Sequence, residues 1–215
     1  MPSPRVRRFF VKLPVFGACL VPVAYLAWGA YNGTLGANPI KTITEETGTW
    51  TLRFLVLTLA VTPIRRLTGR NGVQRFRRML GLFAFFYGTL HLFTYLWLDQ
   101  FFDWPAILRD IAKRPFITAG AAAFALLVPL AATSTAGMIR RLGGRAWKRL
   151  HRMAYVAALA GVVHYWWLVK ADVSRPRAYA VALAIVIAAR LAVAWTSRRR
   201  ATAPPGPRAS TSATR

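Results

Sequence analysis

Residues 79–98 read MLGLFAFFYGTLHLFTYLWL, an unbroken apolar run in which His91 is the only side chain that titrates near neutral pH. Arg77 and Arg78 precede the run and Asp99 follows it. A helix needs about 20 mainly apolar residues to cross the hydrocarbon core of a bilayer. Unpaired backbone groups cost several kcal/mol there, so a helix, which pairs them internally, is the expected form. The run is therefore read as a transmembrane helix carrying a histidine at depth.

Five further blocks of the same kind flank it: about Leu13–Tyr31, Thr49–Pro63, Phe116–Thr133, His151–Val169 and Ala178–Thr196. The second is short and contains Arg53. Together the blocks predict an all-α, polytopic membrane bundle of six transmembrane helices over residues 13–196. A basic N-terminus (1–12) precedes it and a disordered basic tail (197–215) follows. Of the 215 residues, 55% are hydrophobic, and no soluble domain fits between the blocks. The alternating segments of a membrane β-barrel are missing. The N-terminus is basic and then apolar, like a signal peptide, but the apolar stretch is long and lacks an A-x-A site. A retained first helix is expected.

The formal net charge of +24 first suggests nucleic acid, yet no binding motif or soluble domain accompanies it. Its distribution gives a different account. The N-terminus (Arg5, Arg7, Arg8, Lys12), the second loop (Arg65 to Arg78), the fourth loop (Arg140 to Arg152) and the C-terminal tail are basic and free of acid. The three intervening loops hold all six acids: Glu45, Glu46, Asp99, Asp103, Asp110 and Asp172. Lys and Arg gather on the cytoplasmic side of membrane proteins because they resist translocation. Both termini are thus expected in the cytoplasm, in a bacterial inner membrane with anionic lipid around the basic loops. The alternation also supports six crossings, since a missed helix would scramble it.

Ionisable groups inside a bilayer are costly and mark functional sites. His91 and His164 fall in the third and fifth blocks, both running from the basic side, and at 1.5 Å per residue both lie roughly 18–20 Å from that side. Two imidazoles at equal depth on different helices suit the two axial positions of one haem, whose porphyrin supplies the other four ligands. Structural hydrogen bonds between helices are the plainer alternative. No carboxylate or cysteine lies at that depth to complete a zinc site. Gly88 and Gly161, each three residues before a histidine, are expected to make room for a flat ring. Phe86, Tyr87, Phe93, Tyr95, Tyr165, Trp166 and Trp167 suit either a haem wall or an interfacial aromatic belt. His151, in the basic border sequence Lys148-Arg149-Leu150-His151-Arg152, is a candidate second haem ligand, a flavin or quinone contact, or a wet interfacial residue. Cys19, the only cysteine, excludes an internal disulfide and a cysteine-ligated cluster.

Two arginines fall inside blocks. Arg53 is expected near the acidic side and Arg190 in the half of the sixth helix nearer the basic side. Each pairs with a haem propionate or quinone head, or else snorkels to the interface. Arg65, Arg66, Arg75, Arg77 and Arg78 suit a phosphate, or serve only topology and lipid contact.

Several stretches together resemble the MsrQ (YedZ) family of haem-binding membrane subunits from bacterial periplasmic methionine-sulfoxide reductase systems. They are Asn38-Pro39-Ile40, Thr47-Gly48-Thr49-Trp50, Thr62-Pro63-Ile64-Arg65-Arg66, Arg77-Arg78-Met79-Leu80-Gly81-Leu82 through His91, and Arg140-Arg141-Leu142-Gly143 with Trp147-Lys148-Arg149-Leu150-His151 through His164. The likeness covers about residues 10–196. It implies a compact relative of the ferric-reductase transmembrane domain, with at least one b-type haem and an FMN. It also implies electrons drawn from the quinone pool or a cytosolic flavin reductase, and delivery to a periplasmic molybdopterin reductase that repairs oxidised methionines. The larger group carries two histidines on each of two helices, holding two haems. Here the fifth block has both, His151 and His164, but the third has only His91, with Arg78 where its second would stand.

The expected role is that of an electron-transfer subunit with no substrate chemistry of its own. The alternative is a self-contained membrane ferric or quinone reductase, but no G-x-G-x-x-G occurs and no fused nucleotide domain has room. A transporter would show repeats or broken helices, and no clear repeat is found.

Overall fold

The computed structural model describes residues 4–202, with side chains described for 10–196. Among these residues the chain is helical throughout, without a strand. The elements are α1 (Pro4–Tyr31), α2 (Pro39–Thr68), a 3-10 segment (Asn71–Phe76) running into α3 (Arg77–Phe93), a π-helical segment (Thr94–Asp99), α4 (Trp104–Lys113), α5 (Pro115–Ala132), α6 (Ala136–Leu150), α7 (Met153–Leu168) and α8 (Ser174–Thr202). Five of the helical segments are long and apolar enough to cross a membrane, and α7 is a shorter apolar helix. All six apolar blocks therefore fall on helices of a membrane protein. Helix α8 runs on past 196 to Thr202, and the rest of the expected disordered tail, 203–215, lies outside the described residues.

The largest departure from the sequence reading is α2. The apolar block began at Thr49, whereas the helix starts ten residues earlier, at Pro39. The Asn38 side chain caps it by accepting the Lys41 N–H at 3.0 Å, and Pro39 occupies the first turn, where its missing N–H costs nothing. The threonines that made this stretch look polar bond to their own helix. The hydroxyls of Thr44, Thr47, Thr51 and Thr58 each donate to the carbonyl four residues back, at 2.6–2.9 Å. Such back-bonding hides a hydroxyl from an apolar environment.

The two most closely packed helix pairs are α2 with α3 and α5 with α7, while α8 packs on α2 and α7. Ala84, Ala157 and Ala158 are fully buried in the core with Leu52, Leu55, Leu59, Phe83 and Val162. Small residues at these crossings let backbones approach, which is what drives helix association in lipid. The large apolar side chains Phe16, Trp28, Leu57, Val181, Ile185 and Leu191 lie on the outer surface. That inverted distribution suits a hydrocarbon surrounding.

Two short helices join the bundle where the sequence suggested only loops. Helix α4, on the acidic side, is capped by Asp103, which accepts the Ala106 N–H at 3.1 Å. Helix α6, on the arginine-rich side, bends at Gly143 (φ 73°), a conformation costly to a residue with a Cβ.

Candidate functional site

His91 on α3 and His164 on α7 meet inside the bundle. Their ring centres are 5.9 Å apart and their planes are turned by 76°. Both rings are held by a helix other than their own. His91 Nδ1 lies 2.9 Å from the carbonyl of Thr44 on α2. His164 Nδ1 lies 2.6 Å from the carbonyl of Phe116 in the first turn of α5. A carbonyl only accepts, so Nδ1 carries the proton in each ring and Nε2 carries the lone pair. A carbonyl so placed fixes the tautomer of the imidazole and leaves Nε2 able to bind a metal.

The clearance around each ring repeats the same plan. A Cβ on Gly48 would stand 3.0 Å from His91 Cε1 and Nδ1, and one on Gly120 would stand 2.8 Å from His164 Nδ1. Gly48 is four residues after Thr44, and Gly120 four after Phe116, so carbonyl and clearance share one helix face. Each supporting helix thus offers the imidazole an acceptor and, one turn on, a gap.

The sequence reading had assigned the clearance to Gly88 and Gly161, and the structure corrects this. A Cβ on Gly88 would make ordinary contacts with Thr51, Phe124 and Leu127, and one on Gly161 would press on Leu52 at 2.9 Å. Both seat neighbouring helices. Tyr87, one of the expected wall aromatics, instead turns towards α1, where its hydroxyl bonds to backbone. Phe116, which was not singled out, lies against His164 with ring centres 6.2 Å apart.

A metal between two imidazoles needs two metal–nitrogen bonds of about 2 Å, which with about 1 Å from each nitrogen to its ring centre gives a separation of roughly 6 Å. The observed 5.9 Å matches. Among the described residues, no three of His, Cys, Asp and Glu gather into a metal-holding group. A metal at this pair must bring its other ligands with it, as a porphyrin does.

His151 stands apart from the pair. It ends α6, with its ring stacked on Trp147 at 4.0 Å and its Nε2 3.2 Å from the Thr133 hydroxyl. Trp147 in turn donates to the Thr133 carbonyl at 3.0 Å. The two neighbouring arginines part company. Arg77 is half-buried and lies within electrostatic reach of Arg190, Tyr155 and His151, whereas Arg78 is exposed beside Lys12 and Arg75. The Arg190 guanidinium lies 5.1 Å over the Tyr155 ring. Arg190 Nη1 and Arg65 Nε are buried without a hydrogen-bond partner. Arg53 stacks 4.4 Å over Trp50 and donates from Nε to the Tyr179 hydroxyl at 3.2 Å.

A helical membrane bundle with one imidazole from each of two helices facing across its interior defines a class, and the sequence comparison agrees with it. Residues 47–162 match the family described as "Ferric reductase like transmembrane component". That span holds Gly48, His91, Gly120 and His151 and stops two residues before His164. Within this class the chain belongs to the MsrQ family. It is 50% identical over 192 residues to a protein of Herminiimonas arsenicoxydans, covering 88% of each chain. It is 53% identical over 193 residues to one of Rhodospirillum rubrum, covering 90% of this chain and 93% of the other. It is 53% identical over 191 residues to one of Azospira oryzae, covering 88% and 82%. Each of these relatives is named "Protein-methionine-sulfoxide reductase heme-binding subunit MsrQ".

Proposed function

We propose that this chain is the haem-binding electron-transfer subunit of a methionine-sulfoxide reductase system, with His91 and His164 as the axial ligands of a b-type haem. One observation carries the reading: two imidazoles on separate helices, each with Nδ1 bonded to a carbonyl, stand 5.9 Å apart. A haem bound there would be held by His91 and His164 and would supply a one-electron couple. The protein's part is to hold both tautomers, fix both ring directions and keep the surroundings dry. Thr44 and Phe116 do the first two, and the core around Leu52, Leu127 and Val162 does the third.

The charge asymmetry supports a bacterial inner-membrane orientation with the arginine-rich side, and both termini, in the cytoplasm. The histidine pair then lies in the periplasmic half of the bilayer, close to the face where a periplasmic, molybdopterin-containing catalytic subunit would dock to repair oxidised proteins. The names of the relatives support the sulfoxide-reductase partnership. Electrons come from the quinone pool or from a cytosolic flavin reductase, with FMN on the cytoplasmic side. The half-buried Arg77 and Arg190, within electrostatic reach of each other and with Arg190 Nη1 buried and unpartnered, support an anionic cofactor at that end, since buried guanidinium groups need an anionic or carbonyl partner.

The test is a reduced-minus-oxidised optical spectrum of the purified protein beside His91→Ala and His164→Ala. Each substitution is expected to abolish the main b-type signal. An undiminished signal in both variants would overturn the ligand assignment.

A further inference from the structure

Helices α1 and α3 meet where the Phe16 ring packs on Phe83, with ring centres 5.2 Å apart. Beside this contact they frame an open cleft of about 510 Å³, within the range of roughly 300–1,000 Å³ found for ligand sites. Helix α1 supplies Lys12, Phe16 and Leu20, spaced four residues apart and so stacked on one face. The other wall is Arg75 in the 3-10 segment, then Arg78, Leu82 and Phe86, again at every fourth place. Both walls carry their cations first and their apolar side chains after. The cleft is therefore charged at its arginine-rich end and apolar over the next two turns. From Arg78 to Phe86 the stripe runs about 12 Å along the axis, most of one leaflet of a hydrocarbon core about 30 Å thick. Phe16, Leu82 and Phe86 are exposed, so the groove opens to lipid.

No carboxylate neutralises the charged end. Among the described residues the ion pairs are Lys41 with Glu45 and Arg114 with Asp110, both in the acid-bearing segments. Arg75 is also braced in place. Its Nε donates to the Gly72 carbonyl at 2.7 Å, and its guanidinium lies 5.6 Å over the Phe76 ring. A Cβ on Gly72 would stand 2.6 Å from Arg75 Nη2, so the missing side chain is what lets the arginine lie there. The bond to Gly72 uses one of five N–H donors, and a guanidinium already held loses less freedom on taking up an anion. Three cations at the head of a lipid-facing apolar groove match one class of ligand, an anion joined to a hydrocarbon chain. A free phosphate would leave the aromatic walls uncovered, and a neutral lipid would leave the cations without an anion.

We propose that this cleft holds one anionic phospholipid, its phosphate bound by Lys12, Arg75 and Arg78 and an acyl chain lying along Phe16, Leu20, Leu82 and Phe86. The lipid fills the gap between α1 and α3 and ties them together at the arginine-rich end, as the Tyr87 hydroxyl on the Cys19 carbonyl does deeper in. Basic loops are drawn to any anionic membrane surface. This is instead a single site of fixed place, and it stands independently of the haem assignment.

The experiment adds dioleoyl phosphatidylglycerol, dioleoyl phosphatidylcholine or inorganic phosphate to the purified protein in a neutral detergent. Native mass spectrometry counts the bound lipid, and circular dichroism follows thermal unfolding. One phosphatidylglycerol is expected to stay bound and to raise the melting temperature, while phosphatidylcholine and inorganic phosphate at the same concentration do neither. Lys12→Gln combined with Arg78→Gln should weaken phosphatidylglycerol binding about thirtyfold, the joint scale of two basic residues at an anionic headgroup. Arg141→Gln combined with Arg145→Gln removes the same charge from exposed places on α6 and should leave binding unchanged. Leu82→Trp keeps every charge but fills the groove, and should abolish the lipid adduct in a protein that still folds. Equal weakening by the two double variants, equal retention of phosphatidylcholine, or the same melting shift with inorganic phosphate overturns the proposal. An undiminished adduct in Leu82→Trp overturns it as well, whatever the charge variants do.

Discussion

The hydroxyl of Tyr87 stands between two backbone groups of α1, donating to the Cys19 carbonyl at 2.9 Å and accepting the Val23 N–H at 3.1 Å. In an unbroken helix those two groups would bond to each other. Pro22 lies between them, and a proline ring inside a helix pushes on the carbonyl four residues back and bends the axis. The phenol from α3 bridges the bend and is fully buried there, which ties the lightly packed α1 to the rest of the bundle.

Tyr87→Phe should therefore loosen α1 without unfolding the protein, at a cost of roughly 1 kcal/mol, the scale of one hydrogen bond inside a membrane protein. The buried Cys19 thiol is the natural reporter. Its labelling by a membrane-permeant maleimide should accelerate in Tyr87→Phe. Tyr87→Ala, which also empties a core site, should cost about 3–5 kcal/mol. Equal labelling rates in the native protein and Tyr87→Phe would contradict the bridging role.

Gly48→Ala and Gly120→Ala should each disturb the histidine pair, because the new methyl would lie within 3.0 Å of an imidazole. Either the ring tilts and loses its carbonyl, or α2 or α5 shifts outward. The expected readout is lowered haem retention or an altered low-spin electron paramagnetic resonance signal, with the protein still folded by circular dichroism. Gly88→Ala serves as the control, since its methyl meets only ordinary contacts, and should retain the native signal.

His151→Ala should leave the signal of the His91 and His164 pair intact. Its Nε2 is engaged by the Thr133 hydroxyl and its ring by Trp147, so the local loss is packing where α6 hands over to α7. A modest drop in melting temperature is the expected cost. Loss of a distinct fraction of the haem absorbance would instead assign iron to His151.

Arg190→Met tests what the unpartnered guanidinium nitrogen is for. A buried cation without an anion is destabilising, and exchange for an apolar side chain of similar length is often neutral or stabilising. The cofactor-free variant should melt at the native temperature or above. If Arg190 faces a carboxylate or phosphate of a bound cofactor, the same change should speed cofactor loss during gel filtration. A lower melting temperature with unchanged retention would make the residue purely structural.

The six apolar blocks and the pairing of His91 with His164 were legible because both rest on strong local signals, namely long runs without charge and a rare residue at depth. The early start of α2 was not, since Thr44 and Thr47 count as polar until their hydroxyls are seen bonded to their own helix. Gly48 and Gly120 were missed as clearance for the rings because each serves a histidine on another helix. Proximity in sequence pointed to Gly88 and Gly161 instead. The stretch Thr47-Gly48-Thr49-Trp50 did carry a signal through the family resemblance, but nothing in it said which ring the glycine served. The split between Arg77 and Arg78 is likewise a matter of helical phase at the start of α3, where a 3-10 segment precedes the helix.

Neither imidazole takes its acceptor from the helix that bears it: α3 leans on α2, and α7 leans on α5. The geometry of the histidine pair is thus a gauge of vertical registration between neighbouring rods. A slide of one helix past its neighbour by a single turn, about 5.4 Å, would bring a different carbonyl and a bulkier side chain opposite the ring. Any force that slides α2 or α5, from lipid thickness or from a docked subunit, is therefore felt directly at the histidine pair.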